Sequence, residues 1–480
     1  MSLWKKLTAL ILTLALWATG AALALSAFAE DEIPAAEPAS AEPFVPVLRF
    51  IAASDTHVRD DDGMPYRIRK MLDMAYAMAE ADPAYPALDA LMVSGDLTND
   101  GTKPEFDRFI EAVHGSLREG TQFVGVVAKN HDGYEMPRKE MRGYYSSISG
   151  NDPDFHVVIN GYHFIGVSAS PLDGVHYSAA QQTWLKKQLT EAAKEDPNKP
   201  IFVTHHEHVR GTVYGSSLDD GWGMTYFTSI LKQFPQVVDF SGHSHYPLND
   251  PRSLWQGQFT AVGTGAIYYS EFNVGGTYHP ADSYETATCW IVEVDANNRL
   301  RLRGMDVLAE KCLVEYVLDN PADPANRPYT PAKRKAAASA PAFDADTALA
   351  VTPAVGGCTV TVPAARSTDG MPVTLYRIRA VDASGRTAAK SWTLPCYYRA
   401  VEQETVELIL TGLASGEYRL IVTAENAYGD VSEPVEAQAA VDDGGCPYCH
   451  QAHEGFSGRL VLFFHKIAWF FTRLFGKTAA

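Results

Sequence analysis

From Val47 onward the chain alternates short apolar runs with stretches of helical periodicity. Val47 to Ser54 and Leu88 to Ser94 are apolar runs of strand length, while Tyr66 to Glu80 and Glu105 to Leu117 repeat apolar residues at helical spacing. Further strand-like runs follow at Phe123 to Ala128, Phe164 to Ser168, Ile201 to Thr204, Val237 to Ser241 and Phe259 to Val262, with helical stretches at Ala179 to Lys194 and Thr225 to Phe234. This order predicts an α/β layered domain over residues 47–308. Residues 309–344 then pass through Pro-Ala-Asp-Pro, Arg-Pro-Tyr-Thr-Pro and Lys-Arg-Lys-Ala-Ala-Ala, which predicts a linker. Residues 345–440 hold only strand alternation and turn signals, as at Thr359 to Val362, Val373 to Ala380, Val406 to Leu410 and Tyr418 to Ala424, and predict a small all-β domain.

Both ends of the chain carry a different pattern. Lys5 and Lys6 precede an apolar stretch from Leu7 to Leu25 and then Ala27-Phe28-Ala29, which predicts a secretory signal peptide over residues 1–29, with an uncleaved anchor as the alternative. Residues 30–46 are rich in Ala, Pro and Glu and read as a spacer. In the tail, 441–480, Leu460 to Phe475 are almost wholly apolar and aromatic, and Arg459, Lys466 and Arg473 recur every seven residues as one cationic stripe. The stretch falls short of the ~20 residues that span a bilayer, so it predicts a helix at a membrane interface or one docked on a neighbouring domain. Cys446-Pro-Tyr-Cys449-His450 has the spacing of covalent haem attachment, but with His453 close by and no haem domain it reads as a zinc knuckle or a local disulfide.

At 480 residues the chain is long enough for several domains at ~100 to 200 residues each. Its net charge of −18 argues against a nucleic-acid polymer as partner. Six cysteines are too few for a disulfide scaffold. Cys289 with Cys312, and Cys358 with Cys396, allow at most one bridge per region.

Candidate chemistry sits immediately after predicted strands: Asp55-Thr-His57, Gly95-Asp96, Asn130-His131-Asp132, His205-His206 and Gly242-His243-Ser244-His245. Strand ends are where open α/β sheets collect their sites. Carboxylate and amide oxygens mixed with imidazole nitrogens suit divalent Mn, Fe or Zn, and no cysteine lies near them in sequence.

In these motifs the chain resembles the calcineurin-like metallophosphoesterases, whose pattern is Asp-x-His, Gly-Asp, Gly-Asn-His-Asp/Glu, His, then Gly-His-x-His. The resemblance implies a four-layer α/β/β/α sandwich holding two divalent metal ions. Carried over position by position, it implies that Asp55, His57 and His245 hold the first ion, Asn130, His205 and His243 the second, and that Asp96 bridges both. Such a pair clamps a phosphoryl group and activates a water to hydroxide, so the implied activity is hydrolysis of a small phosphomonoester or phosphodiester. His131 is placed by the pattern near the leaving-group oxygen, as a proton or hydrogen-bond donor. His206, His208 and Asp132 read as supporting residues, and Arg210 as a phosphate contact or a solvated loop arginine.

Two departures stand out. Lys129 occupies the place of the family's glycine before Asn-His, which predicts a displaced loop or a cationic contact to substrate. The run Asp96-Leu-Thr-Asn99 lacks the tyrosine that purple acid phosphatases place three residues after the bridging aspartate.

The stretch from Leu410 to Pro434 resembles the second half of a fibronectin type III sandwich, and the tail resembles those that close exported proteins of Gram-positive gut bacteria. Together these readings describe an exported metallophosphoesterase retained at the cell surface, with contact to the envelope or membrane through the C-terminal helix. The alternative is a surface-binding protein with a structural metal site.

Overall fold

The computed structural model describes residues 43–217, 223–442, 444, 459–461 and 463–467. The expected signal peptide, most of the expected spacer, the Cys446/Cys449 motif and much of the tail lie outside the described residues. Of the tail, 459–461 and 463–467 are helical, with Leu460, Phe463 and Phe464 exposed. No described helix is long and apolar enough to cross a membrane.

The first domain holds β1 (Pro46–Ala53), β2 (Ala90–Ser94), β3 (Gln122–Val126), β4 (Asp154–Ile159), β5 (Tyr162–Val167), β6 (Ile201–Thr204), β7 (Val237–Ser241), β8 (Leu254–Gln256), β9 (Thr260–Gly263), β10 (Thr288–Asp295), β11 (Leu300–Asp306) and β12 (Lys311–Leu318). Its helices are α1 (Gly63–Glu80), α2 (Lys103–His114), α3 (Arg138–Ser149), α4 (Ala179–Glu195) and the short α5 (Thr228–Leu231). One six-stranded sheet runs β12-β11-β10-β1-β2-β3 and the other β8-β9-β7-β6-β5-β4. The strands β1, β2 and β3 are parallel, as are β5, β6, β7 and β9.

Period-two alternation sorts the side chains into layers. Leu48, Phe50 and Ala52 of β1 face the second sheet and pack with Phe164, Phe202 and Phe240. Ile51 and Ala53 face the other way, against Ile68 and Leu72 of α1 and Phe106 and Phe109 of α2. Beyond the second sheet, Ile201, Val203 and Val237 pack on Leu185 and Leu189 of α4. The result is helices, sheet, sheet, helices. Helix α2 begins on a capping box: the Thr102 hydroxyl accepts from Glu105 N, and the Glu105 carboxylate accepts from Thr102 N.

The domain does not end at residue 308. Strand β12 pairs with β11 from Leu300↔Leu318 to Asp306↔Lys311, so the first sheet continues through the start of the expected linker. The rest of that segment is docked on this domain and on the one that follows, where Lys335 pairs with Asp430 and Ala342 N donates to the Arg366 carbonyl, and is not a free spacer. Arg327 donates to the carbonyls of Gly257 and Pro235, and Arg334 in α6 (Pro331–Ala337) lies 4.9 Å from the Tyr316 ring and 4.7 Å from the Tyr329 ring.

The second domain is a β-sandwich of β13 (Ala350–Ala354), β14 (Gly357–Pro363), β15 (Val373–Val381), β16 (Thr387–Thr393), β17 (Thr405–Thr411), β18 (Gly416–Asn426) and β19 (Val435–Val441). A three-stranded sheet β13-β14-β17 faces a four-stranded sheet β16-β15-β18-β19 across a core of Val360, Tyr376, Leu408, Leu420 and Val422. Its 396–400 turn meets the first domain. Arg399 pairs with Asp282 at 2.6 Å and Glu285 at 2.9 Å, Ala400 N donates to Asp306, and Tyr398 packs on Phe272. Cys289, Cys312, Cys358 and Cys396 are free thiols. Cys289 and Cys312 lie on β10 and β12 with β11 between them.

Candidate metal centre

The parallel strands of both sheets deliver their C-terminal ends to one edge. Asp55 and His57 follow β1, Asp96 follows β2, Asn130 and His131 follow β3, His206 follows β6, and His243 and His245 follow β7. Backbone bonds hold these ends together: Asp55 N to Gly95 O, His57 N to Asp96 O, and Gly242 N to His206 O. The Ser94 and Thr204 hydroxyls, 2.8 Å apart, tie one sheet to the other just beneath.

Five residues of this cluster have positive φ: Asp55 at 53°, His57 at 43°, Asp96 at 48°, His243 at 73° and His245 at 55°. Left-handed backbone costs an L-residue about 1–2 kcal/mol, and Asp and His are among the types found there. Such conformations persist where the surroundings over-determine them, and they concentrate at functional sites. Gly242 matters for a different reason, since a Cβ there would run into the Asp55 carboxylate and the Ser54 hydroxyl. Gly242→Ala is therefore expected to displace Asp55 and destabilise the fold by about 1–3 kcal/mol; thermal melting together with metal content checks it.

The candidate ligand atoms converge in three overlapping groups, one of which brings His131 to His57 and Asp96. In the first, His245 Nε2 lies 3.1 Å from Asp55 Oδ1 and 3.2 Å from His57 Nε2. In the second, His206 Nε2 lies 3.1 Å from both Asp96 Oδ2 and His243 Nδ1, and the Asn130 amide is 3.1 Å from Asp96 and 3.4 Å from His243. Asp96 joins them, its Oδ2 also 3.9 Å from His57 Nε2. Asp55, His57, Asp96, His206 and His245 are buried, whereas Asn130, His131 and His243 are half-buried and form the mouth.

Burial opposes charge on Asp55, but the nearby His245 outweighs it and holds the carboxyl well below the usual range. Burial likewise opposes ionisation of Asp96, and His206 overrides it, to about 2. Burial drives His57 and His243 down to about 4 each. Against burial, Asp96 raises His206 to about 10 and Asp55 raises His245, so the metal-free cluster pairs ionised carboxylates with two neutral and two protonated imidazoles, and a divalent cation would take the place of those two protons. The buried Oδ1 atoms of Asp96 and Asn130 have no hydrogen-bond partner. These residues fit divalent metal.

One expected ligand is displaced by a single position. His205 points away from the cluster into the layer beneath α4 and α5, with its ring 5.2 Å from Phe227 and its Nε2 2.8 Å from Asp239 Oδ1. His206 takes its place, fixed by Nδ1–H donating to the Ser94 carbonyl at 2.8 Å. The reason is parity. Phe202 faces the sheet interface and Thr204 meets Ser94 of the other sheet, so an extended chain carries His206 there too, whereas Ile201, Val203 and His205 face the helices.

His131 stands at the mouth, with Nδ1–H donating to the Asn99 carbonyl at 2.7 Å and its ring centroid 4.3 Å from that of His57. Asp132 is a loop organiser: it accepts from Thr98 N and Oγ1 and from Ala128 N, and burial, with Asp96 adding to it, raises its pKa to about 7. His208 bonds the Ser241 and Ser244 hydroxyls.

Lys129 does not displace its loop. Its φ is not positive, Asn130 still reaches Asp96, and the ammonium lies 3.9 Å from buried Glu207, which also accepts from the Tyr177 hydroxyl. Arg210 is exposed, and no described contact joins it to the cluster. Tyr269, its ring 4.3 Å from that of His245, escaped the sequence reading because it belongs to no ligand motif.

Residues 48–247 match the family model of the calcineurin-like phosphoesterases. The class that this domain and its site define is metal-dependent phosphoester hydrolase. Among curated proteins, the chain is 24% identical over 201 residues to one of Arcobacter nitrofigilis named probable glycerophosphodiester phosphodiesterase GpdQ, covering 41% of this chain and 71% of that one. It is 22% identical over 264 residues to a protein of Rhodopseudomonas palustris named probable cyclic nucleotide phosphodiesterase, covering 52% and 89%. Among solved structures, purple acid phosphatase PPD1 from yellow lupin (Lupinus luteus) seeds aligns at 12% identity with a TM-score of 0.39, over 56% of this chain and 53% of its own.

Proposed function

We propose that this chain is an exported phosphodiesterase that uses two divalent metal ions, Mn, Fe or Zn, to hydrolyse small phosphodiesters. One observation carries the reading: Asp96 lies between two groups of ligand atoms, within 3.9 Å of His57 Nε2 and 3.1 Å of His206 Nε2. Asp55, His57 and His245 would hold one ion, Asn130, His206 and His243 the other, and Asp96 both. When bound, such a pair activates water and neutralises the charge on phosphoryl oxygens. The half-buried side formed by Asn130, His131 and His243 is where substrate enters. The hydrogen bond from Nδ1 to Asn99 orients the His131 ring so that Nε2 faces the leaving oxygen, to which the ring in its imidazolium form would give the Nε2 proton and become neutral. The names of the curated relatives favour a diester over a monoester.

Export is supported by the Lys5-Lys6 pair, the apolar run to Leu25 and the Ala27-Phe28-Ala29 site, and surface retention by the basic aromatic tail. The three-plus-four strand arrangement supports a fibronectin type III-like reading of the second domain. So does Tyr418, near the start of β18, whose hydroxyl donates to the Ala414 carbonyl.

Metal analysis of purified protein, with hydrolysis of bis(p-nitrophenyl) phosphate, tests the assignment. Two metals per chain are expected, falling to one in His206→Ala and staying at two in His205→Ala. The latter is expected to lose about 1–3 kcal/mol of stability by stranding buried Asp239. Metal loss in His205→Ala with retention in His206→Ala would reverse the ligand assignment.

A further inference from the structure

A second concave site lies on the β-sandwich, facing the domain that carries the metal cluster. It is a cavity of about 830 Å³ on the outer side of the four-stranded sheet, lined by Arg377, Arg379, Lys390 and Trp392 of the sheet and by Tyr278 of the first domain. The register puts Arg377 opposite Trp392 and Arg379 opposite Lys390, so all of these side chains share one face. Arg377 is paired with Glu425 at 2.6 Å. Among the described residues, neither Arg379 nor Lys390 has a carboxylate within ion-pair distance. Like charges directly opposite on neighbouring strands repel. In a chain of net charge −18, two facing cations without an acid between them form a place for an anion.

Two sets of ring contacts, joined through the chain neighbours Tyr278 and His279, lead from the groove towards the metal cluster. Trp392 meets Tyr278 edge to face at 4.8 Å. The next residue, His279, lies 5.2 Å from Tyr269, and Tyr269 lies 4.3 Å from His245. Aromatic side chains thus stand between the cluster and the groove, and cations line the groove itself. A sugar or polyol phosphodiester chain matches that order, because its C–H faces pack on rings and its phosphates accept from Arg and Lys.

We propose that the groove is an outer subsite that binds the distal units of an oligomeric sugar- or polyol-phosphodiester whose scissile linkage lies at the metal cluster. The inference rests on the phosphodiesterase reading above. A nucleic acid strand is the less fitting occupant. Its binding proteins track the backbone with an extended basic channel and successive stacking platforms, and here two facing cations and one Trp–Tyr pair stand in an acidic chain.

The test uses the full-length, metal-loaded protein with glycerol-phosphate oligomers of different length. The hexamer is expected to show a KM roughly tenfold below that of the dimer at low salt, the effect of a few charge-assisted hydrogen bonds, and high salt should erase the difference. In an Arg379→Glu/Lys390→Glu double variant, and more weakly in Trp392→Ala, the KM for the hexamer should rise by that factor while kcat and the dimer's KM stay unchanged. Calorimetric titration of EDTA-treated protein with the hexamer should show binding that the double variant loses.

Equal KM values for dimer and hexamer in an enzyme active on bis(p-nitrophenyl) phosphate would overturn the subsite alone, as would equally tight binding of hexathymidylate. Wild-type protein that takes up metal but cleaves no diester would overturn the phosphodiesterase reading, and the calorimetric arm would still judge the groove.

Discussion

Asp96→Asn is expected to abolish most phosphodiester hydrolysis while leaving the protein folded. Asp96 belongs to two of the three groups of ligand atoms, where Asp55 belongs to one, and His206 holds it ionised despite burial. An amide there removes negative charge from both metal positions at once. Losing an outer hydrogen-bond partner of a metal ligand typically costs about 10–100-fold in metal affinity or activity, and loss of a shared ligand should exceed that at both positions. The isosteric change leaves packing intact, and His206, freed of its counter-charge, can become neutral. Elemental analysis, circular dichroism and turnover on bis(p-nitrophenyl) phosphate check metal content, fold and activity in turn. A variant with two metals and near-wild-type turnover would remove Asp96 from the shared position.

His131→Ala should separate chemistry from metal binding. The residue sits beside Asn130, the proposed ligand, yet its Nδ1–H is committed to the Asn99 carbonyl, and its proposed role is at the departing oxygen. Loss of a positioned general acid typically costs ~10² to 10⁴ in rate. Metal content should be unchanged, and the loss should shrink for esters whose leaving group needs no proton. Comparing a p-nitrophenyl diester with an alkyl diester reads this directly. Equal losses on both, or a fall in bound metal, would instead make His131 a ligand, a role that its nearness to His57 and Asp96 puts within reach.

Asp55, His57, Asp96, Asn130, His243 and His245 were legible because each belongs to a short motif just after an apolar run, and strand ends in an α/β sheet share an edge. His205 and His206 were not separable in that way. Both follow β6, and the motif supplies only a histidine at about that point. Continuing the period-two alternation from Phe202 and Thr204 would have selected His206, but that requires the chain to stay extended past the last paired residue, which only the folded backbone shows. Lys129 misled for a similar reason: a glycine in a pattern suggests a backbone need, and here the φ of the residue carries none.

Local features were readable from the order of residues. Apolar periodicity set the succession of strands and helices, the Thr102/Glu105 capping box set the start of α2, and the motif residues set the chemistry available at the sheet edge. Features that depend on residues far apart in the chain emerged only on folding. The folded chain adds β10, β11 and β12 to the first sheet and turns the expected linker into a docked segment through Arg327 and Arg334. It also sets the sandwich against the metal domain through Asp282 and Arg399. Those pairings join groups with no sequence proximity, so no periodicity or spacing records them; they exist only once two distant surfaces exclude water from one another.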